Sequence, residues 1–380
     1  MIGGNSQRSI LSSAVAVMLV VAAAGCGDDD SCCGTDLSSE AAYAGAGPYP
    51  VGVTTLDLTD RKVDVWYPGV PGSEAGLTHA TYRQTDPLSD PIIKGFAEGI
   101  ARRNGVNLVY ETRTFRDLPP NGEGPFPLVI MSHGFGGWRS VNSSIAAGIA
   151  AWGYVVAAPD YLERGLNAVA TNNAMPSPEK DYQVTVDTIA LLHGANDEPG
   201  NVLNMLVGFD HIGIVGHSAG GRTALDTLAA GAADVAVGYA AAGGMTNGGM
   251  PVMLIAARND IGITTAITEE LFAALSSPKR LVIIEQTGHN SFSDVCTPIR
   301  EGASLAQLAR EAGLQIDERL LELAENGCTE ENIDPEEAWS ITQHFTVAQL
   351  RETFGTDDPA VGLGPGVADK FAVPVEYRQE

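Results

Sequence analysis

The chain has 380 residues, 44% of them hydrophobic and 18% charged, which is enough to bury one large core or two ordinary ones. Its 22 basic against 47 acidic residues leave a formal net charge of −25. A surface that acidic repels phosphate backbones and anionic headgroups, so nucleic acid is excluded as a partner, while the charge itself argues solubility and nothing about fold.

In chain order, the first segment reads as an export signal. Arg8 gives a basic start, "AVAVMLVVAAA" (14–24) is apolar, and "GCGDDD" follows at once. That run is shorter than the roughly 18–20 residues a spanning helix needs. The "AAGC" of 23–26 resembles a bacterial lipoprotein signal, in which Cys26 is lipidated after cleavage, although Ala23 stands where leucine is usual. Ordinary cleavage after Ala24 in an A-x-A pattern is the alternative. The expected location is the bacterial cell envelope, periplasmic or outer surface, or the medium, with membrane contact through the lipid anchor alone. Cys32 and Cys33 sit in a polar stretch that reads as a flexible tether over 26–46.

From about Gly47 to residue 300 the pattern is that of one α/β domain. "KVDVWYP" (62–68) alternates as a half-buried strand, and "NLVYETRTF" (107–115) reads as a second. Continuous apolar runs follow at 127–132, 154–159, 212–216, 235–241, 251–257 and 280–286. Strands apolar on both faces are covered on both faces, as in a parallel sheet between helical layers. Helical stretches at 139–152, 180–195, after Ser218 and at 268–277 separate them, so the expected architecture is a doubly wound, mostly parallel sheet. Residues 70–106 and 165–205 exceed simple connections and are expected to cover a cleft. "SLAQLAREAGLQIDERLLELAEN" (304–326) and "PEEAWSITQHFTVAQLRETF" (335–354) make 301–380 a helical extension packed on the same domain. Cys296 and Cys328 are the two cysteines of the folded body and natural disulfide partners in an oxidising compartment. Two free buried thiols are the alternative. No Cys/His spacing suits zinc.

"GHSAG" (216–220) fits the G-x-S-x-G turn that lifts a nucleophilic serine, Ser218, to the carboxyl edge of a sheet. Gly216 and Gly220 leave room where a Cβ would collide with neighbouring chain. An acid and a histidine should follow in that order, each just past a strand. "VMLIAARND" supplies Asp260 and "LVIIEQTGH" supplies His289. Among the seven histidines, His344 lies in a helical pattern, His217 is the turn's variable residue, and His133 belongs to another loop. Asp294 competes as the acid but is expected to point elsewhere; Asp260 as a helix cap and His289 as a surface turn residue are the bland readings. The glycine-rich "SHGFGG" after a core strand offers backbone N–H groups, with Phe135 and Ala219 the expected oxyanion donors. Read instead as a phosphate loop, it lacks the G-K-[ST] ending. Phe135, Trp138 and Tyr161 are placed to form an apolar wall for substrate, or to pack in the core.

Together with "GPYPVGVTTLDLTDRKVDVWYP", "MSHGFGGWRS", "GYVVAAPDY" and "GHNSFSD", these elements resemble the α/β-hydrolases. More narrowly, the chain resembles the branch of platelet-activating-factor acetylhydrolases and bacterial dienelactone-hydrolase-like or chlorophyllase-like enzymes, over roughly 47–295. The resemblance implies Ser218 as nucleophile, His289 as base, and Phe135 and Ala219 at the oxyanion. One departure bears on substrate: the acetylhydrolases carry the acid after the strand that follows the nucleophile helix, and here "VAVGYAAAGG" has none. Asp260, one strand later, takes the role, as in most α/β-hydrolases and the polyester-cleaving ones. The expected activity is cleavage of a small-molecule, lipid or polyester ester through an acyl-enzyme, with no cofactor and no metal. A peptidase on the same scaffold and a catalytically dead ligand-binding lipoprotein are the alternatives.

Overall fold

Residues 37–380 are described by a computed structural model; the expected export signal, Cys26, Cys32, Cys33 and most of the expected tether lie outside the described residues. The apolar runs form the strands expected of them. A ten-stranded sheet is assembled from β1 (Val51–Leu58), β2 (Arg61–Pro68), β5 (Thr114–Arg116), β6 (Phe126–Ser132), β7 (Val155–Pro159), β8 (Val207–His217), β9 (Val235–Tyr239), β10 (Val252–Ala257), β11 (Lys279–Ile284) and β12 (Val375–Gln379). Its order is β12-β11-β10-β9-β8-β6-β7-β2-β1-β5. From β7 through β6, β8, β9 and β10 to β11 every pairing is parallel, while β2 and β12 join antiparallel. A separate two-stranded sheet pairs β3 (Thr81–Arg83) with β4 (Val109–Glu111).

Alternate residues of each central strand feed two cores, because successive side chains leave a strand on opposite faces. Val129 and Met131 of β6 face Ile145 and Ile149 of α2 (Ser143–Ala151) and Ile341 and Phe345 of α10 (Pro335–Thr353). Leu128 and Ile130 face Leu192 of α4 (Pro178–Asp197), Leu225 and Leu228 of α5 (Ala219–Ala229) and Phe272 of α6 (Thr265–Ala274). The switch from β6 to β8 across the sheet opens a crevice at the strands' carboxyl ends, where ligands bind in open α/β sheets.

Four expectations need correction. The folded body starts at Leu37, not at 47: Tyr43 is buried, its amide donates to His344 Nδ1 at 3.2 Å, and Gly362 N donates to Leu37 O. The strand expected over 107–115 splits, β4 and β5 pairing in different sheets. The stretch 165–205 is not a single cleft cover; only α3 (Leu166–Ala170) nears the crevice, and α4 belongs to the helical layer. The tail is not wholly helical: 304–326 breaks into α8 (Leu305–Glu311) and α9 (Glu318–Glu325) around Gly313 at φ +68°, and β12 closes the sheet beside β11.

Candidate active site

Ser218 sits between β8 and α5 with φ 56° and ψ −118°, a left-handed conformation that costs a non-glycine residue free energy and persists because its surroundings impose it. A Cβ on Gly216 would lie 2.1 Å from Gly220 O, and one on Gly220 would lie 1.9 Å from Ser132 O. Only glycine lets the turn pass between β6 and α5. Gly134 is less tightly hemmed, since an added Cβ would approach Ser218 Cβ to 3.2 Å.

Asp260 follows β10 and His289 follows β11, and the parallel pairing of those two strands brings both to one edge. Asp260 Oδ2 accepts from His289 Nδ1 at 2.8 Å, with both side chains buried. The carboxylate's other oxygen accepts from the amides of Gly262 and Ile263 at 2.7 and 2.8 Å. A carboxylate only accepts, so Nδ1 carries the hydrogen and Nε2 presents its lone pair. Ser218 and His289 line the same cavity, but no hydrogen bond joins Oγ to Nε2 here; such contacts often close only around substrate.

Two further histidines brace these groups. Burial pushes the His217 imidazole down to about 3, so it is neutral and donates from Nε2 to His289 O at 2.8 Å. His133, lowered to about 3 mainly by burial, donates from Nδ1 to Gly134 O and accepts the Tyr161 amide on Nε2. Asp294 stands apart from the pair: its Oδ2 accepts from Ser143 Oγ at 2.8 Å and Ser144 N at 3.2 Å.

In the glycine-rich loop, Gly136 N donates to Arg164 O and Gly137 N to Gly134 O. The Phe135 amide has no acceptor among the described residues. The Ala219 amide, at the first position of α5, has none within its helix, so both N–H groups are free to donate. Phe135 and Trp138 line the cavity. Tyr161 does not, correcting its place in the apolar wall: it is fully buried behind the loop, its hydroxyl 2.9 Å from Thr185 Oγ1 and Arg164 over its ring at 4.1 Å. Cys296 and Cys328 form a disulfide. Among the described residues no cluster of three potential metal ligands occurs, and no helix is long and apolar enough to cross a membrane.

Sequence reasoning missed three parts. Asn326 Oδ1 accepts from the amides of His289 (2.8 Å) and Ile261 (3.3 Å), and its Nδ2 donates to Asn259 O; it ties together the loops carrying the acid and the imidazole. The buried Arg164 donates to Ser132 Oγ, His133 O and Thr223 Oγ1 and pairs with Asp181, holding the glycine-rich loop from behind. Residues of α8 and α9 supply one wall of the cavity. An "NG" pair reads as a turn and a lone arginine as surface, so only the burial of one and the long-range bonds of the other reveal them.

Sheet order, elbow and crevice together define an α/β-hydrolase fold. A ferulic acid esterase from Streptomyces cinnamoneus superposes with a TM-score of 0.56 at 19% identity, covering 81% of this chain and 91% of that one, a likeness of fold. Within that fold the sequence is similar to the platelet-activating factor acetylhydrolases: the isoform II family matches residues 109–191. The platelet-activating factor acetylhydrolase of Gallus gallus is 24% identical over 244 residues, 49% of this chain and 56% of that protein. The match thus spans little more than half the relative's length.

Proposed function

We propose that the protein is an exported serine hydrolase that cleaves carboxylic esters through an acyl-enzyme. The observation that carries this reading is the buried Asp260–His289 pair at 2.8 Å beside a serine held at φ 56° on a cavity wall. Similarity to acetylhydrolases and an esterase fold supports the same chemistry.

In the first step Ser218 Oγ bonds to the ester carbonyl carbon while its proton passes to His289 Nε2. The carbonyl oxygen, now negative, takes hydrogen bonds from the amides of Phe135 and Ala219. The C–O bond to the alcohol then breaks, and the alcohol leaves with the proton from Nε2. Water attacks the acyl carbon next, giving a proton to Nε2 that returns to Oγ as the acid departs. Asp260 keeps the imidazole in the productive tautomer and stabilises its charged form. No cofactor enters this sequence. Export rests on the residues before Leu37 and agrees with the Cys296–Cys328 disulfide.

A fluorophosphonate probe should label the wild-type protein at Ser218. Ser218→Ala should abolish labelling and lower p-nitrophenyl acetate hydrolysis by about 10⁴-fold or more, with an unchanged circular dichroism spectrum. Turnover by that variant at the wild-type rate would sink the assignment.

A further inference from the structure

The cavity beside Ser218 is completed by chain that the catalytic strands do not require. Leu308 and Ala312 of α8 and its following turn, Leu314 and Ile316 beyond, and Leu320 and Leu323 of α9 form one wall. Among the described residues lining the cavity none is Asp, Glu, Lys or Arg. Its polar side chains gather at the reacting end or are already engaged, as Gln84 is with Asp294 O and Thr85 with Glu98. The wall is tethered at both ends. The Cys296–Cys328 disulfide closes the segment, and Asn290 Nδ2 donates to Leu323 O at 2.7 Å.

We propose that this cavity holds the acyl part of the ester, and that the acyl group is an unbranched aliphatic chain of about eight to ten carbons. The proposal rests on the ester-hydrolase reading above and names its substrate class. A lining without charge leaves an ionic or zwitterionic group in it unpaired, which is costly, so a headgroup belongs outside. The lining is leucine and alanine more than aromatic. An apolar cavity of about 150 Å³ accepts benzene; in proportion, the volume here, ≈ 250 Å³, holds about ten carbons. The acyl rather than the alkyl part belongs inside, because the acyl group stays bonded to Ser218 between the two steps. The alcohol must leave, and water must enter by the open side.

The test is a p-nitrophenyl ester series of acyl length two to sixteen carbons, beside a series of n-alkyl acetates, on the full-length protein. With each buried methylene worth about fourfold, kcat/KM should climb by up to that factor per carbon to about eight to ten carbons and then fall. The alkyl acetates should show no such climb. Ala312→Phe, at a half-buried lining position, should move the acyl optimum at least two carbons shorter. A flat or falling acyl profile, a climb in the alkyl series instead, or faster turnover of a phenylpropenoyl than an octanoyl ester would each overturn the proposal. Ser218-dependent acetate hydrolysis in those cases leaves the ester-hydrolase reading standing. Absence of fluorophosphonate labelling would bring down both.

Discussion

At Asp260 the geometry separates two jobs that a carboxylate can combine. Oδ1 is occupied by two backbone amides and fixes the side chain, while Oδ2 alone meets the imidazole. Asp260→Asn keeps the size but puts an amide where only an acceptor fits, and it favours the wrong imidazole tautomer. A fall in kcat of about 10³–10⁴ with near-native stability is expected, read by steady-state kinetics beside a thermal melt. Asn326 acts through others. Removing its side chain in Asn326→Ala leaves the His289 amide without its acceptor, at a cost of about 1–3 kcal/mol, and frees the loop that aims the ring. Chemical denaturation measures the first effect and kcat the second; a variant with both unchanged would show that the bridge positions nothing. Asp294 gives a pH signature. Burial pushes its carboxyl up to about 6, against the bonds from Ser143 and Ser144. A carboxyl protonated more readily in the fold than in the unfolded chain costs stability as pH rises from about 4 to 6, on the order of 3 kcal/mol in full. This opposes the rise of stability with pH that buried imidazoles produce, so Asp294→Asn should steepen the dependence of unfolding free energy over pH 4–6 relative to wild type.

The elements most legible beforehand were those whose own residues explain them. β6 to β11 are apolar on both faces, and the site residues follow from strand ends: Ser218 after β8, Asp260 after β10, His289 after β11. What stayed hidden depends on partners far along the chain. β12 is five residues beside Pro374, with Val375 and Tyr377 turned inward only because β11 offers an open edge. Tyr43 is buried only because α10 runs over it, and Tyr161 is hidden only by Arg164 and α4. The α8–α9 wall belongs to this second kind, and the disulfide is what fixes its place. Closing the loop between Cys296 and Cys328, 32 residues apart, is worth about 3–4 kcal/mol in the chain-entropy model. Cys296→Ser with Cys328→Ser should therefore lower unfolding free energy by roughly that amount. Under the proposed placement of the acyl chain, loss of activity toward long-chain esters should exceed loss toward acetate.

Across the whole molecule, three buried histidines set how acid is met. His133 and His217 are lowered to about 3 and His344 to about 4, in each case chiefly by burial. Their neutral forms are built into the hydrogen bonding: His344 accepts the Tyr43 amide on Nδ1 and donates from Nε2 to Gly362 O at 3.1 Å. An imidazole harder to protonate in the fold than in the unfolded chain contributes stability that is complete above about pH 6.5 and lost as pH falls toward the folded value. Between pH 6.5 and 5 each forfeits about 2 kcal/mol, while Asp294 returns about 1 kcal/mol over the same interval. A domain stable by about 5–15 kcal/mol then loses a large share of its margin before most carboxylates begin to titrate. The excess of acidic residues acts the other way, since protonating them relieves self-repulsion, but that relief comes mainly below pH 5. Urea midpoints should thus fall steadily from pH 6.5 to 5. His344→Gln, which keeps an acceptor for Tyr43 N and a donor for Gly362 O, should shed about two fifths of the net slope. If its pH dependence matched wild type, the acid response would have to come from groups other than these buried rings.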